Sequence, residues 1–202
     1  MHVALIGATG QAGSRILAEL ARRGHRVTAI ARDIAKLPAL HGVTTQAGDV
    51  FDEPGLARLL AGHDAAISAV RFTGSDSRLL IQAVRASGVR RYIVVGGAGS
   101  LEVAPGTMLV DTPDFPPAYR PEAAAGTAFL DLLRDERMLD WTFLSPSALF
   151  VAGERTGKFR LGADRLLVSP EGSRISFEDF AVALVDELET PMHIRERFTV
   201  GY

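Results

Sequence analysis

The chain contains no cysteine, which excludes disulfides, thiolate metal sites and a cysteine nucleophile. Lysine is almost as scarce: Lys36 and Lys158 are the only two. No apolar run approaches the ~20 residues of a membrane span. The N-terminal apolar run is too short for a secretion signal and lacks its basic flank. The expectation is therefore a cytoplasmic protein with no membrane partner. An excess of one charge is missing too: 22 basic and 24 acidic residues leave a net charge of −2, so electrostatics gives no reason to expect nucleic acid as partner. There is no low-complexity tract and no repeat of solenoid length. No serine stands in a G-x-S-x-G elbow. The five histidines, His2, His25, His41, His63 and His193, are scattered and mostly beside turns. Without metal-ligand spacing they read as surface histidines, and no metal site is expected.

What is present is an ordinary globular composition, 47% hydrophobic and 23% charged over 202 residues. That length suits one domain, residues 1–202, with a substantial core. Continuous apolar runs alternate with stretches of helical periodicity. Val3 to Ile6 has the pattern of a strand covered on both faces in a parallel sheet, and Arg26 to Ala31, Val43 to Gly48, Ala65 to Val70 and Tyr92 to Val95 read as further strands. Between them, Ile16, Leu17 and Leu20 mark one helix, ended by Gly24, and a short helix around Ile34 to Leu37 is closed by Pro38. Asp52 caps a third helix that carries Leu56, Leu59 and Leu60 and ends at Gly62, and Leu79, Leu80, Ala83 and Val84 mark a fourth, closed by Gly88. Strands and helices in this alternation force parallel pairing with right-handed crossovers. The predicted fold class is α/β, a doubly wound, mostly parallel sheet of Rossmann type.

Past Gly96 the pattern changes. Residues 101 to 118 hold four prolines without periodicity and are expected to form a long ordered loop at the carboxyl edge of the sheet, where loops of that length line ligand sites. Pro121 opens a long helix with Ala125, Phe129, Leu132 and Leu133 as its apolar stripe, and Trp141 to Pro146 is a sixth strand. The tail predicts a small substrate-side extension: extended pieces at 157–161, 166–168 and 174–175, a helix announced by Ser176 and Asp179 as a capping-box-like pair, and a last edge strand over Arg197 to Val200.

One stretch organises these elements. Gly7-Ala8-Thr9-Gly10-Gln11-Ala12-Gly13 lies between the first strand and the first helix, seven residues from the N-terminus. Gly7 lets the chain turn out of the strand, Gly10 lets a pyrophosphate approach bare backbone, and Gly13 lets the helix pack closely. The free N–H groups of the first helical turn then face the anion. A glycine-rich turn alone is a weak signal in a chain with 20 glycines; its place between strand and helix is what points to a dinucleotide. Arg32 and Asp33 follow the second strand, at the edge where the adenosine ribose lies in such a fold. An arginine there pairs with the extra phosphate of NADP, so NADP is favoured, and the neighbouring Asp33 leaves room for NAD.

With these stretches together, the whole chain resembles the atypical short-chain dehydrogenase/reductase family of NAD(P)H-binding proteins termed NADH-flavin reductases, related to the flavin-reductase form of biliverdin reductase. The matching stretches are Gly7 to Gly13, Val94 to Leu101, Asp140 to Phe150 and Arg155-Thr156-Gly157. The resemblance implies that Asp49 and Val50 border the adenine, that Ala69, Val70 and Arg71 line the middle of the cofactor, and that Gly97, Pro146 and Ser147 contact it further on.

The superfamily's usual Tyr-x-x-x-Lys pair is absent, because Tyr119 is followed four positions later by Ala123. Ser100 and Tyr119 stay as candidate catalytic hydrogen-bond donors, against the competing reading of a tyrosine that only packs a proline-rich loop. A flavin or quinone acceptor asks less of the protein, since stacking and orientation supply most of what hydride transfer needs. The expected function is NAD(P)H-dependent reduction of free flavin, as substrate rather than bound group, or of a similar planar small-molecule acceptor. The expected acceptor wall is Gly97 to Ser100, Phe115, Tyr119 and Ser145 to Ala148. The alternatives are an NmrA-like redox sensor that binds NAD(P) without turnover and, third, an isomerase or reductase of a small carbonyl compound. Oligomeric state is left open.

Overall fold

In the computed structural model, which describes residues 1–202, the chain runs β1 (His2–Ile6), α1 (Gln11–Arg22), β2 (Arg26–Ala31), β3 (Val43–Ala47), α2 (Glu53–Leu60), β4 (Ala65–Ser68), α3 (Ser77–Ser87) and β5 (Arg91–Val95). It continues through β6 (Glu102–Ala104), β7 (Thr107–Met108), α4 (Arg120–Asp135), β8 (Asp140–Pro146), β9 (Leu149–Val151), β10 (Arg160–Gly162), β11 (Arg174–Ser176), α5 (Phe177–Glu189) and β12 (Glu196–Gly201). Eight strands form one sheet in the order β10-β12-β8-β5-β4-β1-β2-β3. All neighbours are parallel except β10, which runs antiparallel to β12.

The two-residue alternation of the strands divides the core. Val3 and Leu5 of β1 join Ile16, Leu17 and Leu20 of α1 and Phe180 and Leu184 of α5 on one face. Ala4 and Ile6 join α2, α3 and α4 residues such as Leu56, Leu80 and Phe129 on the other. Helices on both faces are what parallel strands require, because each crossover returns over the sheet. Both faces of β1, β4 and β5 are buried, hence their unbroken apolar runs, while most of β3 at the edge is exposed and polar.

The local stop and start signals form as expected. Asp52 accepts from Gly55 N at 3.0 Å to cap α2, Gly88 ends α3 at φ 80°, and Ser176 accepts from Asp179 N at 2.9 Å to cap α5. Several expectations are corrected. The ordered segment 101–118 is not loop throughout, for β6 and β7 pair as a small antiparallel hairpin followed by two 3₁₀ turns. The segment at Ile34–Lys36 is a single 3₁₀ turn. The last strand is not at the edge: β12 lies between β8 and β10, so the antiparallel β10 is the true edge. Of the tail pieces, β11 pairs with β9 in a separate two-stranded ribbon. Nor are the histidines all superficial. His25 is buried, with Nε2 2.9 Å from Glu189, and the His2 and His63 rings approach to 3.9 Å.

Candidate functional site

Gly7 leaves β1 at φ +83°, and an added Cβ would lie 2.7 Å from the Ala69 carbonyl oxygen and 2.8 Å from the Val70 side chain. Only glycine combines that dihedral with that approach. Gly13 is tighter still, since a Cβ there would sit 2.2 Å from the Gly7 oxygen, so α1 begins in direct contact with the turn before it. Gly10 is exposed and caps α1 through backbone alone. The turn is tied down by Gly7 N donating to Ile30 O at 2.9 Å, Gly10 N to Gly7 O at 3.0 Å and Ser14 N to Gly10 O at 2.8 Å. The N–H groups of Thr9, Gln11, Ala12 and Gly13 donate to no protein acceptor, and no acidic side chain stands in the first turn of α1. Four unpaired donors at a positive helix end are the chemistry that an anion would need. Ala8 points the other way, into the core, and Ala12 packs at its border.

At the carboxyl end of β2, Arg32 is exposed and its guanidinium has no hydrogen-bond or ion-pair partner. Asp33 is already engaged: its carboxylate accepts from Ala35 N at 3.2 Å and pairs with Lys36 at 3.2 Å. Beyond β3, Asp49 is exposed and accepts from Phe51 N at 3.0 Å, and Val50 packs at the edge of the core. Gly48 N bonds Ala31 O at 3.1 Å, which keeps the ends of β2 and β3 side by side.

Ala69, Val70 and Arg71 follow β4, the first two at the margin of the core beside Gly7 and the third exposed. Phe72 then turns inward, edge-on to Phe129 and stacked with Phe143. Its ring fits because α4 has Gly126 there; a Cβ would come within 2.7 Å of it. Glu122 holds this turn, accepting from Phe72 N at 2.7 Å, Thr73 N at 3.0 Å and Thr73 Oγ1 at 2.5 Å. Sequence reasoning missed Glu122, and no local signal marks it, since its partners are about fifty residues away.

From Phe72 the wall continues into a cavity of about 550 Å³ at the carboxyl edge of the sheet. It is lined by Gly97 to Ser100 after β5, Phe115 and Tyr119 of the proline loop, Glu122, Ala123 and Gly126 of α4, and Ala148 and Leu149. Ser100 is buried, and its hydroxyl and carbonyl oxygens accept from Arg197 at 3.4 and 3.5 Å. Arg197 is in turn paired with Asp164. Tyr119 is 65% exposed and its hydroxyl makes no hydrogen bond. The two candidate donors thus line one cavity, Ser100 held in place and Tyr119 free.

Of the expected wall over Ser145 to Ala148, only Ala148 lines the cavity. Ser147 is fully buried and donates to Val200 O at 3.1 Å, a commitment to strand packing that removes its hydroxyl from any ligand. Pro146, in register with Val200, is buried beside it, and the Ser145 hydroxyl is buried without a protein partner. Ala148 is the first residue of that stretch to reach the cavity.

The Arg155-Thr156-Gly157 stretch lies apart from the cavity, tied to two buried carboxylates. Asp179 accepts from Thr156 N at 2.8 Å, Thr156 Oγ1 at 2.6 Å, Gly157 N at 2.7 Å and Tyr202 Oη at 2.8 Å. Glu19 accepts from Arg22, Arg23 and Arg155. Burial alone would raise the Glu19 pKa, but the three guanidinium donors hold it well below the usual carboxylate range.

Comparison with known proteins agrees with this geometry. Residues 7–191 match the family described as NAD(P)H-binding. The uncharacterized protein YwnB of Bacillus subtilis is 42% identical, the alignment covering 99% of this chain and 98% of that one. Among solved structures, a provisionally named exported protein of Burkholderia pseudomallei is 47% identical with a TM-score of 0.91, each chain covered in full. A protein of Streptococcus pneumoniae, provisionally described as an NADH-flavin reductase, is 38% identical with a TM-score of 0.86, covering 100% of this chain and 99% of that one. A short-chain dehydrogenase/reductase of Veillonella parvula solved with NADP shares the fold at 20% identity, TM-score 0.81, over 100% of this chain and 94% of that one. The chain belongs to the family described as NAD(P)H-binding.

Proposed function

We propose that the protein is an NADPH-dependent reductase of a planar, electron-poor acceptor such as a free flavin or a quinone. The observation that carries this reading is that Gly7 abuts Ala69 and Val70 while the same segment, at Phe72, lines the cavity, so the glycine turn and an acceptor-sized space share one edge of the sheet. The unpaired N–H groups of Thr9, Gln11, Ala12 and Gly13 suit a dinucleotide's diphosphate. The partnerless Arg32 suits a 2′-phosphate, while Asp33, turned to Ala35 and Lys36, is badly disposed to bind a ribose diol. Bound NADPH supplies a hydride, two electrons and one proton, to the acceptor ring, whose second proton comes from water.

The chain's own residues bind and orient. Glu122 fixes the Phe72 turn that forms the cavity's inner wall. Phe115, Tyr119 and Leu149 give flat or apolar surface against which a ring stacks and from which water is displaced. Ser100 and Tyr119 can each donate a hydrogen bond to an acceptor heteroatom. Reduction of a simple carbonyl through an activated tyrosine is not supported, because Ala123 occupies the position one turn beyond Tyr119 and packs at Gly99. Neither lysine lines the cavity.

Rapid mixing of protein, NADPH and flavin tests the reading. Flavin-dependent loss of nicotinamide absorbance is the expected result. NADPH binding without any such loss, over a panel of flavins and quinones, would instead favour a redox-sensing binding protein.

A further inference from the structure

The charge around the cavity narrows the acceptor. We infer that it takes an electrically neutral ring in preference to a phosphorylated flavin, an inference that rests on reading this cavity as the acceptor site. Two carboxylates, Asp114 and Glu122, line it, and no lysine, arginine or histidine does. Asp114 is exposed and makes no hydrogen bond or ion pair.

Two of the cations around it are held by other groups. Arg120 lies over the Phe115 ring at 5.7 Å and donates to Val110 O at 2.9 Å and Thr112 O at 3.3 Å, which ties it into the loop. Arg197 is buried against Asp164 behind Ser100. Arg71, largely exposed, has Glu122 as its acidic neighbour at 3.9 Å.

A phosphate could instead use the N-terminus of α4, which opens on the cavity. That end is spent as well: Pro121 lacks an N–H, and Glu122 places a carboxylate in the first turn. A dianionic phosphate therefore meets the unpaired carboxylate of Asp114 here, and the diphosphate of a bound dinucleotide adds more negative charge. The ring of the acceptor is well served by apolar walls; its phosphate is not.

Riboflavin and FMN differ only by that phosphate and make the test. At low ionic strength kcat/KM with NADPH should be higher for riboflavin by on the order of three- to tenfold, the size expected for like charges several ångströms apart in a solvated cleft. The ratio should fall toward one in ~1 M salt, where the Debye length is about 3 Å. Asp114→Asn, at an exposed position, should narrow the ratio, and Asp114→Lys should narrow it further or reverse it. A neutral naphthoquinone should likewise be preferred to its sulfonate. FMN reduced as well as riboflavin, or a ratio indifferent to salt and to both substitutions, overturns the inference. If no acceptor is reduced, the reductase reading fails separately, and quenching of flavin fluorescence decides this one: tighter riboflavin supports it, whereas tighter FMN or no binding of either overturns it.

Discussion

At the residue scale, the two glycines on either side of Gln11 and Ala12 do different work. A methyl group at Gly13 would fall 2.2 Å from the Gly7 oxygen, and Gly7 cannot retreat because its own position is closed by Ala69 and Val70. Gly13→Ala should therefore cost stability, about 1–3 kcal/mol for an overpacked contact, seen as a lowered midpoint in urea. Gly10 is less confined, although a Cβ there would still lie a tight 3.3 Å from the Gly7 oxygen, so Gly10→Val should lower the urea midpoint less than Gly13→Ala does while weakening NADPH in a calorimetric titration. Unchanged NADPH affinity in Gly10→Val would mean that the diphosphate lies elsewhere. Arg32 separates cofactor identity from nucleotide binding as such. Losing one charge-assisted contact in Arg32→Ala should weaken NADPH by about 1.5–3 kcal/mol, roughly ten- to a hundredfold, and leave NADH nearly as it was. Equal losses for both cofactors would remove the ground for NADP.

At the scale of elements, the tail is held to the body by the first turn of α5. Ser176 and Asp179 look in sequence like a reciprocal cap, yet the Asp179 carboxylate turns away from the helix to gather two backbone N–H groups and two hydroxyls from Thr156, Gly157 and Tyr202. Asp179→Ala removes the shared acceptor of all four donors; Thr156 and Gly157 can turn to water and Tyr202 keeps Ser176, so the cost should be about 2–3 kcal/mol. Ser176→Ala should cost less, because a lost helix cap is typically worth about 1 kcal/mol. Urea unfolding of both variants checks the order; a larger loss for Ser176→Ala would mean that capping, and not anchorage of the tail, is the main task of this turn.

For the whole molecule the consequence is sensitivity to acid, in two stages. His2 titrates below the ordinary histidine value of 6.5, first because burial disfavours its charged form and then because His63 and Arg26 lie close. The unfolded chain therefore takes up a proton that the native state refuses, and stability begins to fall as pH drops below about 6.5. Glu19 acts lower. Its native pKa lies beneath its unfolded value, so its contribution is complete above about pH 4.5 and is lost as the carboxylate becomes protonated on further acidification. At neutral pH Glu19→Gln should cost on the order of 2–3 kcal/mol, less than a fully buried pair because Arg22 and Arg155 keep contact with water. The gap between variant and wild type should shrink from pH 6 to pH 3 in urea titrations, and His2→Asn should flatten the slope between pH 5 and 7. A gap that stays constant with pH would show that Glu19 acts by packing and not by charge.

How much of this was legible in the chain depends on how far apart the interacting residues lie. The strands β1, β2, β4, β5 and β8, the caps at Asp52, Gly88 and Ser176 and the glycine turn follow from residues within about ten positions of one another, since burial on both faces and helix-end chemistry leave local marks. Gly13 could be read as a close-packing glycine for the same reason. What lay beyond the sequence is whatever depends on contact between distant segments. Nothing near Glu122 announces that it clasps residues 72 and 73, and nothing near Ser147 tells that its hydroxyl is buried against Val200. The closing strand was legible as a strand, but its place inside the sheet came from β10, a three-residue piece too short to show a period. The sequence by itself determined the alternating architecture and the nucleotide turn, because each rests on local backbone chemistry. Only the tertiary structure decided which charges face the cavity and which are already paired, because that depends on side chains brought together from some fifty to a hundred and thirty residues apart.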